Sequence, residues 1–114
     1  MEFRLTFKNA KVNNSYYQTC TTDYNGNLDV GTIEIEDPAQ TIEITIREIT
    51  PADGYNYYGF SEMTIILRHK EGITEIEGNT GYANARYNIN DNIVYLEIDN
   101  EVTIDLQGKV WRHY

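Results

Sequence analysis

Chemistry in this 114-residue chain would have to come from carboxylates, two histidines, one cysteine and ten tyrosines. The most suggestive spacing is "DYNGNLDVGTIE", residues 23–34, which offers Asp23, Asn25, Asn27, Val30 and Glu34 at the first, third, fifth, eighth and twelfth positions of an EF-hand calcium loop. Leu28 occupies the sixth position, where the loop turns sharply around the ion and needs glycine. The flanks decide between loop and hairpin. "NNSYYQTCTT" upstream is poor in helix formers, and Pro38 would stop an exit helix in its first turn. We therefore read Asn25-Gly26 as a two-residue turn between strands, pairing Cys20 with Gly31 and setting Tyr16 and Cys20 on the face of Ile33 and Ile35. No metal and no cofactor is expected.

Nucleophilic or acid–base catalysis has little to work with. His69 lies between Arg68 and Lys70, His113 lies next to the last residue, and no Ser-His, Cys-His or His-x-x-x-His spacing brings a base to a partner. Cys20, flanked by threonines, reads as a small buried hydrophobe. A glycosidase-like pair of acids has many candidates, but Glu34, Glu36, Glu43, Glu75, Glu77 and Glu97 alternate with apolar residues, as the wet side of a strand does. The reading is a protein that is not an enzyme.

Binding has more to work with. "TPADGYNYYGFSE", residues 50–62, is longer than the usual hairpin loop and concentrates Tyr55, Tyr57, Tyr58 and Phe60 among Gly and Asn. Such rings give rigid, amphipathic contact area with few torsions to freeze. A second Tyr and Asn cluster, residues 78–92, adds Tyr82 and Tyr87. The same rings would also serve to cover the end of a core, hydroxyls outward. Carboxylates two apart on a strand lie roughly 6.5 to 7 Å from each other. Glu75 with Glu77, or Glu34 with Glu36, would then present a charge ladder.

The elements that must position these residues are strands. Period-2 alternation dominates, and we expect strands near 2–12, 16–22, 28–36, 41–49, 61–69, 73–77, 82–90, 93–98, 101–106 and 109–113. Ile42, Ile44 and Ile46 share one face, and Met63, Ile65 and Leu67 repeat the pattern. In "VYLEIDNEVTIDL" a three-residue loop aligns Ile98 with Val102, Leu96 with Ile104 and Val94 with Leu106. The expected fold is all-β, an antiparallel β-sandwich or partly closed β-barrel of about nine or ten short strands in a single domain spanning 1–114.

The formal net charge of -9 exceeds the usual magnitude of about 2 to 8 for a small domain, and disfavours direct binding to nucleic acid, which takes cations to phosphates. A basic protein partner would be attracted instead. The start of the chain shows neither a secretory h-region nor a membrane span, and a lone cysteine suits a reducing compartment, so the expected location is cytoplasmic. In size, charge and composition the chain resembles toxin-neutralising immunity proteins and phage-encoded inhibitors that imitate nucleic acid. It carries no family motif, so no family residue is transferred. The leading expectation is an acidic recognition protein that binds and inhibits a basic toxin or nuclease. The alternatives are a carbohydrate-binding module that stacks sugars on loop tyrosines, with calcium at the first turn, and a self-assembling subunit that forms homo-oligomers through strand edges.

Overall fold

The computed structural model describes residues 2–49, 62–70, 73–80, 85–90, 93–98 and 102–106. Among them the chain is all-β. Eleven strands follow in order: β1 (Glu2–Lys8), β2 (Ala10–Lys11), β3 (Tyr17–Thr21), β4 (Asn27–Asp29), β5 (Glu34–Ile35), β6 (Ile42–Glu48), β7 (Met63–Lys70), β8 (Ile73–Thr80), β9 (Ala85–Asn90), β10 (Ile93–Ile98) and β11 (Val102–Leu106). A five-stranded sheet has the order β3-β1-β6-β7-β8, a four-stranded sheet the order β4-β11-β10-β9, and β2 and β5 form a separate two-stranded ribbon. The expected segment 109–113 lies outside the described residues.

Alternation builds the sandwich. Phe3, Leu5 and Phe7 of β1, Ile42, Ile44 and Ile46 of β6, and Met63, Ile65 and Leu67 of β7 point to one side and are buried. Leu28, Val94, Leu96, Ile98, Ile104 and Leu106 come from the other sheet and belong to the same buried cluster. The two sheets thus face each other across one core and do not close into a barrel. The register expected for the last hairpin is the one observed: Val94 stands opposite Leu106, Leu96 opposite Ile104 and Ile98 opposite Val102.

Two expected strands are each broken by a change of phase. The apolar positions run Phe3, Leu5, Phe7 and then Ala10, Val12, so continuous alternation would have put the second group on the wet side. The chain corrects this at Asn9, whose φ of 66° rotates the strand and separates β1 from β2. Likewise Leu28 and Val30 are followed by Ile33 and Ile35, and the slip is taken up around Gly31, at φ 101°. The two displaced pieces then pair, Ala10 with Ile35 and Lys11 with Glu34. In the following turn Asp37 accepts the N–H of Ala39 on its carboxylate at 3.0 Å and that of Gln40 on its carbonyl at 3.2 Å, with Pro38 in the second position.

The hairpin expected around Asn25-Gly26 is corrected in part. The chain does reverse there: the Gly26 N–H donates to the Asp23 carbonyl at 3.1 Å, and Gly26 takes φ 83°. The flanking strands, however, enter different sheets. Cys20 stands opposite Phe3, not Gly31, because β3 pairs with β1, while β4 runs parallel to β11. The reversal is a corner between layers, since Leu28 is needed in the second sheet's core face beside Ile104.

Candidate functional site

The wet face of the four-stranded sheet carries Asp29, Glu97 and Asp105. Pairing across strands gives two rows. One row runs Asn27, Thr103, Glu97, Arg86, and the next runs Asp29, Asp105, Tyr95, Asn88. Arg86 pairs with Glu97 at 3.7 Å. The second row sets Asp29 and Asp105 on neighbouring strands, about 5 Å apart at the backbone. Tyr95 follows as the aromatic of that row, half-buried. Tyr24, fully exposed, occupies the turn that leads into β4.

Backbone N–H groups hold the carboxylates of Asp29 and Asp23, and a backbone bond ties the Asp105 strand to Val30. Asp29 accepts the Gly31 N–H at 2.9 Å on its carboxylate, and the Asp105 carbonyl accepts the Val30 N–H at 3.1 Å. Asp23 accepts two N–H groups, those of Asn25 and Asn27, each at 2.9 Å. These contacts explain the acid spacing of residues 23–34 as turn chemistry. Asp23 and Asp29 close local loops, and among the described residues no group of three or more His, Cys, Asp or Glu side chains could hold a metal ion. The carboxylate field also reaches inward: burial pushes the Cys20 thiol above its ordinary range, and the charge on Asp29 pushes it further.

The residues singled out from sequence are distributed as follows. Tyr55, Tyr57, Tyr58, Phe60 and Tyr82 lie outside the described residues, as does His113. Tyr87 stands opposite Leu96 on β9, its side chain outside the described part. His69 stands opposite Thr74 on β7. Glu75 and Glu77 are exposed on the edge strand β8, but they form no uninterrupted acidic ladder. Glu75 faces Arg68 in the register, and the Arg68 Nε donates to Glu77 at 3.0 Å. A bulge lies here: Ile66 opposes Gly78 and Leu67 opposes Ile76, leaving Glu77 as the extra residue. Glu34 is part of β5, and Glu36 accepts the Tyr16 hydroxyl at 2.9 Å.

The Asp29, Asp105, Tyr95 row escaped the sequence reading because a parallel pairing of distant strands creates it, and no local pattern announces such a pairing. Among the described residues no helix is long and apolar enough to cross a membrane. No protein-family model matches the chain, and neither a curated protein nor a solved structure shows significant similarity to it.

Proposed function

We propose that this is a non-enzymatic recognition protein whose acidic sheet face engages a basic protein partner and inhibits it by occupying a cationic groove. The observation that carries the reading is the register that sets Asp29 and Asp105 on neighbouring strands beside Tyr95, on a chain of net charge -9. Charge complementarity of this kind accelerates encounter, and an aromatic flanked by carboxylates supplies a desolvated anchor once contact is made.

The test is capture from a lysate of the source cell or its host at low salt, followed by kinetics on the retained protein. A basic partner should associate at least tenfold more slowly when ionic strength rises from about 0.05 to 0.5 M, with dissociation changing much less. The double variant Asp29→Asn, Asp105→Asn should reproduce that slowing at low salt. An association rate indifferent to both salt and the double variant would refute the proposal.

A further inference from the structure

On the opposite side of the sandwich the same register rule produces a charge arrangement of the other sign. Arg4 of β1 stands directly opposite Arg47 of β6, in the interior of the five-stranded sheet's wet face, with Thr19 on the other flank of Arg4. Like charges directly across a strand pair destabilise a sheet, and they are usually relieved by carboxylates. Here they are not. Among the described residues Lys8, Arg68 and Arg86 each reach a carboxylate, whereas Arg4 and Arg47 form no ion pair, in a chain with twice as many acids as bases. Glu62 lies just before β7, next to Met63, the partner of Ile46, and it makes no ion pair with Arg47 either.

Two further features prepare the site. The Arg4 guanidinium sits 4.8 Å over the ring of Tyr17, which holds it against the sheet. A depression of about 360 Å³ opens between the strands, lined by Arg4, Thr19, Arg47, Glu48 and Ile49. Glu48 is the one acid in this lining, and it is buried (3% exposed) on the core side of β6, whereas its neighbour Arg47 is exposed on the wet side.

We infer that Arg4 and Arg47, with the Thr19 hydroxyl, form a binding site for a phosphate group. Two guanidinium forks offer planar, bidentate donors and two positive charges, which a phosphate monoester of about -1.5 to -2 charge matches better than a single carboxylate does. Binding converts the repulsion between the arginines into a bridge. Exposed carboxylates farther than roughly 8 Å are largely screened at physiological ionic strength, which leaves two arginines against the single acid of the lining, Glu48. This site is independent of the acidic face and of the partner proposed for it.

The experiment titrates inorganic phosphate and, separately, O-phosphoserine into the full chain, following the Arg Nε–H resonances and the melting temperature against sodium chloride of equal ionic strength. Saturable shifts of two Arg resonances, and a rise in melting temperature beyond the chloride control, are expected. Arg47→Gln should weaken binding about tenfold or more, the loss of one charge-assisted contact. Without phosphate, that variant should melt no lower than the parent, because it removes a like-charge pair. Arg4→Gln should weaken binding equally. Tighter binding of phosphoserine would assign the source to a modified side chain, and equal binding to free phosphate. No effect beyond chloride, or undiminished binding in both glutamine variants, would overturn the site.

Discussion

Asn9 should be among the costliest single polar residues to replace, and its contribution can be worked out from the structure. Its Oδ1 accepts the Asp37 N–H at 2.8 Å, and its Nδ2 donates to the Asp37 carbonyl at 2.8 Å, with longer contacts of 3.3 Å to the carbonyls of Gln40 and Thr41. Its backbone holds φ 66°, a region most L-residues enter at a cost of about 1–2 kcal/mol. Asn9→Ala loses two short hydrogen bonds at about 1 kcal/mol each and incurs the φ cost, for a total of roughly 3–4 kcal/mol. Asn9→Gly escapes the φ cost and should lose about 1 kcal/mol less, even after glycine's extra chain entropy is counted. Asn9→Asp keeps the acceptor for Asp37 but turns an anion toward three carbonyl oxygens. Its carboxyl should therefore titrate above the unfolded value of about 3.9. A group raised in this way contributes stability below its unfolded pKa and loses it as pH rises through the folded one. The deficit of Asn9→Asp relative to the parent should then be smaller at pH 4 than at pH 7. Urea unfolding followed by circular dichroism measures all three. If alanine and glycine both unfold within about 0.5 kcal/mol of the parent, or if glycine is the worse of the two, the reasoning fails.

Other consequences can be checked with single variants. Burial of Cys20 and the nearby Asp29 charge should make its thiol react with iodoacetamide at least about tenfold more slowly than a free thiol at pH 8, and Asp29→Asn should shift the pH–rate profile downward. Because the folded thiol titrates above the unfolded one, it contributes stability below about pH 8.5, lost as pH rises through its folded pKa; Cys20→Ala should remove that slope in melts between pH 8 and 10. Ile44→Ala and Ile65→Ala, facing each other and fully buried, should each cost about 2–5 kcal/mol in urea unfolding. Arg68→Ala, which breaks a pair at the surface, should cost less than about 1 kcal/mol, and a larger loss would mean that the bulge at Glu77 depends on it.

The alternating runs around Ile44, Ile65 and Leu96 were legible because a half-buried strand leaves a period-2 mark that no helix imitates. The last hairpin's register was legible for the same reason: only one loop length puts Leu96 beside Ile104. The broken strands were legible in principle, since the shifts from Phe7 to Ala10 and from Val30 to Ile33 are written in the apolar spacing, and Asn9 and Gly31 are residue types that tolerate the needed φ. Partner choice was not. Asn25-Gly26 marks a reversal correctly, but a turn motif says nothing about whether the strands it joins stay together. Which sheet Leu28 enters is decided by core packing against Ile104, far along the chain. The acidic row and the arginine pair are both products of such pairings. They became visible only once registers were known.

The parallel contact between β4 and β11 also imposes an order on events during synthesis. The five strands of the larger sheet have all been made by Thr80, and most of its pairings join strands close in sequence. β4 is made early, yet its hydrogen-bonded neighbour is the last described strand, so a nascent chain carries Leu28 and Val30 on a strand without that neighbour until β11 has been made. The charged and kinked stretch on either side, from Asp23 through Gly31, is poorly suited to recruiting a stray strand in the interval. The acids that mark one face of the finished protein thereby also guard an unpaired edge while the chain is still being made.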